Sequence, residues 1–176
     1  MRRKIIAYLA TSADGYIARQ DGSVDWLDRP RPRGSYGMPA FFRSVDTILW
    51  GRKTYDQSLT RGGPDPFGWK MKNYVFTHHP PKTPVAGVEF VTKGVSAFCK
   101  RLRAQPGKNI WMMGGGGVIA SFLDAGEIDE FSIHVIPVMI GEGIPLVAPG
   151  HRNVALQLLS TRRYSDGVVH LHYRAR

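Results

Sequence analysis

The stretch Ile110-Trp111-Met112-Met113-Gly114-Gly115-Gly116-Gly117-Val118-Ile119 carries the strongest structural signal in this 176-residue chain. Its apolar first half predicts a buried strand over residues 109–113, and the residues after the glycines predict a helix over 118–125. Consecutive glycines let backbone N–H groups approach a ligand without obstruction by Cβ atoms. The start of a helix adds partial positive charge, so this junction predicts a site for a phosphate or pyrophosphate.

The same junction contains a weak match to a dinucleotide-binding pattern. Gly115, Gly117 and Ala120 fit G-x-G-x-x-A. In the usual dinucleotide fold this pattern follows the first strand, and an acidic residue that binds the ribose lies about 20 residues later. Here the glycines come two-thirds of the way along the chain, and the next strand ends in Ile136-Pro137. The sequence therefore does not favour the standard Rossmann fold.

A second strand-to-helix junction is Leu49-Trp50-Gly51-Arg52-Lys53-Thr54-Tyr55. Arg52 offers a planar fork for phosphate oxygens and Lys53 offers a point charge, although such a pair on a helix is also compatible with simple solvation. In open α/β sheets, ligands bind outside the carboxyl ends of the strands. Two such junctions predict one long ligand whose phosphates touch both.

The rest of the chain alternates strands with helices. Strands are predicted at 5–10, 47–50, 74–76, 88–91 and 131–137, and helices at 39–44, 51–59 and 96–104. Residues 11–37 and 60–69 contain Gly, Pro and Asp turn signals and are predicted to be loops. Two alternating runs flank Asp166-Gly167 and predict a C-terminal hairpin. This order predicts a single α/β domain over residues 1–176 with a mixed sheet.

The composition excludes several classes of protein. Hydrophobic residues make up 43% and charged residues 22%, which is typical of a globular domain and not of a disordered chain. No apolar run approaches the roughly 20 residues of a membrane span. Cys99 is the single cysteine, so no intrachain disulfide can form and a cytoplasmic setting is expected. No Cys, His or acidic residues show zinc-site spacing, so no metal is predicted.

The formal net charge of +10 favours anionic partners: nucleic acid, an acidic membrane or a phosphorylated small molecule. The basic residues are scattered from Arg2 to Arg176, and none lies in a recognisable nucleic-acid-binding motif. We therefore expect a small-molecule substrate, and neither nucleic acid nor a membrane.

Several short motifs, in order along nearly the whole chain, establish a family resemblance. They are Thr11-Ser12-Ala13-Asp14-Gly15-Tyr16-Ile17-Ala18, Asp25-Trp26, Gly51-Arg52-Lys53-Thr54-Tyr55, Gly114 to Gly117, Ile136-Pro137-Val138 and Gly141-Glu142-Gly143-Ile144-Pro145-Leu146. Together they resemble the dihydrofolate reductase-like superfamily, and more closely its RibD C-terminal branch of riboflavin-biosynthesis reductases. The resemblance implies an α/β three-layer sandwich with an eight-stranded, mixed and mostly parallel central sheet that ends in an antiparallel hairpin.

The resemblance also implies bound NADPH. Ala10 and the loop from Thr11 to Ile17 would border the nicotinamide, and the two glycine junctions would hold the phosphates. Thr77 and His78 would lie on the adenosine side. The full set of implied cofactor-binding residues is Ala10, Thr11, Ile17, Gly51, Arg52, Lys53, Thr54, Thr77, His78, Met113, Gly114, Gly115, Gly116, Gly117, Val118 and Ile119.

The implied activity is NADPH-dependent reduction of a small heterocyclic, pyrimidine-like compound, with a phosphoribosyl-bearing one included, as in 5-amino-6-(5-phosphoribosylamino)uracil reductase. The alternatives are reduction of a pterin or nucleotide binding without catalysis. Dihydrofolate reductases carry an Asp or Glu on the helix after the first long loop, where it binds the pterin. Here that helix reads Met38-Pro39-Ala40-Phe41-Phe42-Arg43-Ser44 and has no acid, so folate reduction is not favoured.

Asp14 is the candidate catalytic residue, because a reduction of C=N or C=O needs a proton as well as a hydride. It lies beside the expected nicotinamide and would orient the substrate or relay that proton. The alternative is that Asp14 only shapes the Asp-Gly turn. Asp25 is the reserve candidate, and Asp25 and Trp26 are the candidate substrate-binding residues.

A homodimer is also expected. Residues 133–146 are rich in apolar side chains but broken by Gly141, Gly143 and Pro145. A segment of this kind covers its own sheet or packs on a neighbour. The family resemblance implies homodimers, so we predict that this segment and the nearby sheet edge contribute to the contact.

Overall fold

The computed structural model describes residues 2–60, 62, 70–83 and 85–176. Its strands are β1 (Ile5–Ser12), β2 (Tyr16–Ala18), β3 (Val45–Gly51), β4 (Lys72–Phe76), β5 (Val88–Val91), β6 (Asn109–Gly114), β7 (Glu130–Ile136), β8 (Ile144–Pro145), β9 (Leu156–Arg163) and β10 (Val169–Ala175). Its helices are α1 (Met38–Arg43), α2 (Arg52–Leu59), α3 (Val95–Arg103) and α4 (Gly116–Asp124). Eight strands form one sheet in the order β5-β4-β3-β6-β1-β7-β10-β9.

The sheet is mostly parallel. β1 is parallel to β6 and β7, β3 is parallel to β4 and β6, and β4 is parallel to β5. β10 runs antiparallel to both β7 and β9. Parallel strands covered on both faces read as continuous apolar runs, as Ile5 to Leu9 do. The expected α/β sandwich with a mixed, mostly parallel sheet and a C-terminal hairpin is confirmed.

The core forms on both faces of the sheet. Under α3 and α4, the buried side chains of Phe98, Leu102 and Phe122 pack on the strands. Under α1 and α2, Phe42 and Tyr55 do the same on the opposite face. Each such side chain contributes about 1.5–3 kcal/mol when fully buried. Helices of this length owe their stability to this packing, which fixes where their N-termini lie relative to the strands.

One buried arginine ties the strands together at the edge of the sheet where β1 begins. Arg3 is 3% exposed, and its guanidinium pairs with Asp46. It also donates hydrogen bonds to the Thr47 hydroxyl at 2.8 Å and to the Lys108 carbonyl at 2.7 Å. These contacts set the relative positions of β1, β3 and the turn before β6.

The segment predicted as one loop at residues 11–37 contains regular structure. β2 pairs with β8 in a small antiparallel sheet, and 3-10 turns form at Asp25–Leu27 and Ser35–Gly37. The loop prediction was wrong here because β2 is short and its partner β8 is distant in the chain. The loop predicted at 60–69 lies almost entirely outside the described residues. Among the residues that the structure describes, no helix is long and apolar enough to span a membrane.

Candidate active site

The carboxyl ends of β4, β3, β6 and β1 lie side by side at one edge of the sheet. Each of these neighbouring strands delivers a segment that the sequence marked for cofactor binding. β4 leads into Thr77, β3 ends at Gly51, β6 ends at Gly114, and β1 carries Ala10. The structure thus brings the predicted cofactor residues to a single edge, at the carboxyl ends of parallel strands where ligands of open α/β sheets bind.

Gly51 is required by the close approach of the two glycine junctions. A Cβ atom on Gly51 would lie 3.3 Å from the amide nitrogen of Gly115 and 3.3 Å from Cγ1 of Val118. Gly114 has a φ of +112°, which L side chains rarely adopt, and its peptide bond to Gly115 is cis. The ends of β3 and β6 therefore pack closely against each other, and the glycines there line the surface that we call the glycine-lined cleft.

The three glycines that follow have different surroundings. A Cβ on Gly115 would lie 3.2 Å from the Thr54 hydroxyl and 3.6 Å from Cδ1 of Ile17, so predicted cofactor residues from three segments meet there. A Cβ on Gly116 would lie 2.4 Å from the carbonyl oxygen of Pro145. Gly117 has no atom within 4 Å of the corresponding position. Gly117 is the point where the helix start is open to a ligand.

The N-terminus of α4 supplies hydrogen-bond donors at this opening. The first hydrogen bond of the helix runs from the Ile119 N–H to the Gly115 carbonyl at 3.1 Å. The N–H groups of Gly116, Gly117 and Val118 therefore have no partner inside the helix. Together with the helix dipole, they form a positively polarised end suited to a phosphate.

Arg52 and Lys53 at the start of α2 differ from one another. The Arg52 guanidinium bonds both carboxylate oxygens of Asp56 at 2.8 Å and the His79 carbonyl at 3.0 Å, and it lies over the Phe90 ring. It is held on the side of α2 towards the end of β4. Lys53 is exposed, and no hydrogen bond or ion pair holds it within the described part of the chain.

Thr77 and His78 follow β4. The Thr77 N–H bonds the Val91 carbonyl at 3.0 Å, and the Thr77 hydroxyl accepts a hydrogen bond from the His79 N–H at 3.1 Å. His78 is exposed. Both residues lie next to the start of α2, where the resemblance places the adenosine side of the cofactor.

Asp14 holds two loops together. Its carboxylate accepts hydrogen bonds from the Gly141 N–H at 2.8 Å and from the Ile140 N–H at 3.1 Å. A hydrogen bond with the Ser12 side chain and these two N–H groups hold the pKa of Asp14 below its usual value. The exposed Asp14 carboxylate is thus ionised and already accepts hydrogen bonds from the protein. This favours the alternative that Asp14 shapes the turn and does not act on the substrate. Its catalytic role stays a prediction.

Asp25 and Trp26, the candidate substrate residues, point to different environments. Asp25 is exposed and forms a two-point ion pair with Arg19, at 2.6 and 3.0 Å. Trp26 packs with Ala10 and Ile136 in a small apolar cluster beside the end of β1. The structure places Trp26, and not the Asp25 carboxylate, near the expected nicotinamide.

A group of aromatic residues that the sequence analysis missed covers the same end of β1. This aromatic cluster consists of Tyr8, Tyr36, Phe41, His134 and Tyr164. Tyr8 stacks on Phe41 with ring centroids 4.0 Å apart, and His134 meets the Tyr8 ring edge-on at 5.1 Å. Tyr36 contacts both His134 and Tyr164. Tyr8 and His134 lie on adjacent strands, and His134 is paired in register with Ala10.

Two side chains of the aromatic cluster hold buried polar atoms without partners. Tyr8 is 8% exposed and His134 is 5% exposed. Within the described part of the chain, the Tyr8 hydroxyl and Nε2 of His134 have no hydrogen-bond partner, and neither has Nε1 of Trp26. Burial raises the pKa of Tyr8 and lowers the pKa of His134, so both side chains are neutral near pH 7.

The strap formed by residues 34–37 closes over this cluster. Ser35 and Tyr36 have φ values of 44° and 57°, in the left-handed region that costs a non-glycine residue about 1–2 kcal/mol. The strap is latched to the hairpin turn, because the Tyr36 hydroxyl donates to the Asp166 carboxylate and the Tyr164 hydroxyl donates to the Tyr36 carbonyl at 3.0 Å. Such strain persists only where the surroundings enforce it.

Arginines surround the aromatic cluster. Arg29 donates to the Asp166 carbonyl at 2.7 Å, and Arg162 lies 5.0 Å over the Tyr164 ring. The exposed Arg31 is close enough to act on the pKa of both Tyr8 and Tyr36, which it lowers against the stronger effect of burial. The aromatic cluster therefore has a basic rim.

The fold and the glycine-lined cleft define a dihydrofolate reductase-like α/β protein. The family model of the RibD C-terminal domain matches residues 3–170, and this chain belongs to that family. YwjB, an uncharacterized protein of Bacillus subtilis (strain 168), is 40% identical over 173 residues, which cover 98% of each chain. YyaP of the same organism, also uncharacterized, is 34% identical over 182 residues, covering 98% of this chain and 95% of YyaP.

Solved structures with similar folds support the same family assignment. A protein of Shewanella sp. PV-4, provisionally described as a riboflavin biosynthesis protein, has a TM-score of 0.86 at 28% identity, covering 100% of this chain and 99% of its own. Dihydrofolate reductase from Enterococcus faecalis, complexed with NADP(H), has a TM-score of 0.69 at 15% identity, covering 100% and 99%. At that identity the likeness to the reductase shows the fold alone.

A bifunctional enzyme shares the fold as well. The diaminohydroxyphosphoribosylaminopyrimidine deaminase/5-amino-6-(5-phosphoribosylamino)uracil reductase of Thermotoga maritima has a TM-score of 0.73 at 16% identity. The match covers 99% of this chain but 57% of that enzyme. The chain therefore resembles one part of that larger protein in fold.

Proposed function

We propose that this chain is an NADPH-dependent oxidoreductase that reduces a small, pyrimidine-like heterocycle. The observation that carries the proposal is the glycine-lined cleft, open at Gly117, at the N-terminus of α4. Its shape and polarity suit a pyrophosphate, and it lies between the segments expected to hold the two ends of a dinucleotide. Membership of the RibD C-terminal domain family supports a reductase.

The residues present fit NADPH. The free N–H groups at the start of α4 would bind the pyrophosphate, with Thr54 and Ile17 beside it. Lys53, exposed at the start of α2, would meet the additional phosphate that distinguishes NADPH from NADH. Ala10 would border the nicotinamide. When bound, the cofactor supplies the hydride, while the protein positions the substrate and excludes water.

The substrate we propose is a planar pyrimidine-like ring that carries a phosphoribosyl group. The aromatic cluster offers ring faces, and the basic rim of Arg29, Arg31 and Arg162 offers charge for a phosphate. The site has fewer suitable partners for a pterin. α1 contains no carboxylate, and the Asp166 carboxylate beside the cluster is already held by Tyr36 and Arg29.

Cofactor and substrate are tested in order. Quenching of tryptophan fluorescence should show NADPH binding at least tenfold tighter than NADH. Turnover is then followed as loss of NADPH absorbance with 5-amino-6-(5-phosphoribosylamino)uracil and with dihydrofolate. Equal affinities for NADPH and NADH would contradict the proposed preference for NADPH. Salt-sensitive DNA binding without cofactor binding would favour the non-catalytic alternative, and fast turnover of dihydrofolate would identify the pterin alternative as correct.

We also propose that the chain forms a cytoplasmic homodimer. The interface proposed at residues 133–146 and the nearby sheet edge cannot include every apolar side chain of that segment, because Ile133 and Ile136 are 8% and 4% exposed inside a central strand. Large apolar side chains are exposed within this segment at Met139, and on the edge strand β9 at Leu156 and Leu158.

Light scattering over a dilution series tests the dimer. A mass of twice 19.6 kDa is expected, and Leu158→Lys should shift it to 19.6 kDa. A wild-type mass of 19.6 kDa at micromolar concentration would exclude the dimer, and a dimer that survives Leu158→Lys would exclude β9 as its interface.

A further inference from the structure

We propose that the Tyr8 hydroxyl and Nε2 of His134 bind the polar edge of the substrate ring, and that together they select an uncharged ring with an adjacent carbonyl and N–H. This inference rests on the proposed reductase function. It assigns to the substrate two side chains that neither the motifs nor the catalytic candidates included.

The first observation is that both atoms are buried without partners. Tyr8 and His134 are each more than nine-tenths buried, and neither the Tyr8 hydroxyl nor Nε2 of His134 has a partner in hydrogen-bond geometry among the described residues. The backbone of Tyr36 and Leu9 lies close enough to the His134 ring to act on its pKa, but it does not satisfy Nε2 in that geometry. Native proteins rarely leave buried polar atoms unpaired, and each exception needs a reason. A ligand that supplies the missing partners is such a reason, because its binding would gain the free energy of hydrogen bonds that the free protein lacks.

The second observation is the position of the pair. Tyr8 and His134 lie on the same face of adjacent strands, with ring centroids 5.1 Å apart. Tyr8 precedes Ala10 by two residues, which is about 7 Å along a strand. His134 is in register with Ala10 itself. A ring bound by these two side chains would therefore lie beside Ala10, which the family resemblance places at the border of the nicotinamide.

The third observation concerns charge. Tyr8 and His134 are both neutral near pH 7 for the reason given above, burial. A phenol and a neutral imidazole can donate and accept hydrogen bonds, but they provide no counter-charge for a protonated ring. A uracil-like ring presents alternating carbonyl and N–H groups and needs no counter-charge. The pair therefore favours that class over a protonated pterin.

The protein contains its own matched control. The hydroxyl of Tyr55 on α2 is also buried without a partner among the described residues, but its ring contacts are with Trp50 and Phe90, which are not members of the aromatic cluster. Tyr55→Phe and Tyr8→Phe are the same chemical change. If an unpaired hydroxyl were only a packing imperfection, the two substitutions would have the same consequences.

The experiment uses the full chain saturated with NADP⁺ and uridine 5′-monophosphate as the probe, with binding measured by calorimetry. We expect Tyr8→Phe and His134→Phe each to weaken probe binding at least tenfold. His134→Gln, whose amide can replace Nε2, should stay within threefold of the wild type, and so should Tyr55→Phe. None of these substitutions should change NADP⁺ affinity. Tyr8→Phe should leave the Tm of the free protein equal to or above that of the wild type.

The possible failures are distinguishable. If Tyr8→Phe and His134→Phe bind the probe like the wild type, the assignment of these two residues is overturned while the reductase proposal stands. A wild type that binds NADP⁺ but not the probe overturns the uracil-like class and with it this inference. A fall in Tm for Tyr8→Phe would show that the hydroxyl already has a partner, which also overturns it. Absence of NADP⁺ binding would overturn the proposed function itself.

Discussion

Gly116 and Gly117 are neighbours in the first turn of α4, yet the structure gives them opposite roles, and alanine at each position separates packing from ligand binding. A Cβ on Gly116 would lie 2.4 Å from the Pro145 carbonyl oxygen and 3.3 Å from the Ala148 amide nitrogen. Backbone atoms cannot rotate away as a flexible side chain can. Gly116→Ala should therefore cost about 1–3 kcal/mol of stability, the usual range for overpacking.

Gly117→Ala should behave differently. A Cβ there meets nothing within 4 Å, so the substitution is sterically free in the unliganded protein. Alanine is a better helix former than glycine by up to about 1 kcal/mol, so stability should be unchanged or slightly higher. A bound pyrophosphate, however, would be pushed away from the helix start. A lost hydrogen bond to a charged group is worth about 1.5–3 kcal/mol, or roughly 10- to 150-fold in NADPH affinity.

Urea unfolding measures the first effect and titration of NADPH by fluorescence measures the second. Ser96→Ala, at an exposed position in the first turn of α3, is the control and should change neither by a measurable amount. If Gly117→Ala binds NADPH as the wild type does, the cleft is not the pyrophosphate site. If Gly116→Ala is as stable as the wild type, the contact with residues 145–148 is looser than described.

Three further predictions concern charge and the strap. Because the pKa of Asp14 is lowered in the folded chain, its carboxylate stabilises the fold above about pH 4 and ceases to do so as pH falls through that lowered pKa. Asp14→Asn should therefore lower the Tm at pH 7, and this loss should shrink only as pH falls below about 4 and through the lowered pKa; a loss that does not shrink on acidification would argue against this origin. Tyr36→Phe removes the bond to Asp166 and should speed trypsin cleavage after Arg33, the residue that precedes the strap; an unchanged cleavage rate would show that this hydrogen bond does not hold the strap in place. Burial, with neighbouring histidines, lowers the pKa of His170 from 6.5 to about 4, so the unfolded chain binds more protons between these values and stability should fall as pH drops through that range. His170→Gln should flatten that part of the Tm curve, and a curve of unchanged slope would contradict the lowered pKa.

The two strand-glycine-helix junctions proposed for the cofactor could be located from sequence because their signals are local. In both junctions a strand, one or more glycines and the start of a helix are contiguous in the chain, so each could be recognised from adjacent residues. The structure brings Gly51 and Gly115 into contact, as the idea of one shared ligand requires. The pairing of Arg52 with Asp56 was also readable, because residues four apart on a predicted helix are neighbours, but the prediction of a phosphate site at Arg52 did not use that spacing.

The substrate side could not be predicted in the same way. Tyr8 reads as one more apolar residue of a buried strand, and His134 as an isolated histidine among Ile and Val. Their contact depends on the parallel register of β1 with β7, which places Ala10 opposite His134. The alternation of side chains along each strand was a usable signal, but it assigns faces only when the neighbouring strand is known.

The sequence alone therefore determined the α/β class, the hairpin and the glycine junctions, because periodicity and glycine content act within a few residues. Tertiary structure alone decided that Asp14 joins two loops, that Trp26 and not Asp25 faces the apolar cluster, and that two neutral polar side chains lie buried beside Ala10. The physical reason is the distance along the chain over which each effect acts. Backbone preferences are set by adjacent residues, whereas burial, pKa and hydrogen-bond satisfaction are set by whichever distant segments the sheet brings together.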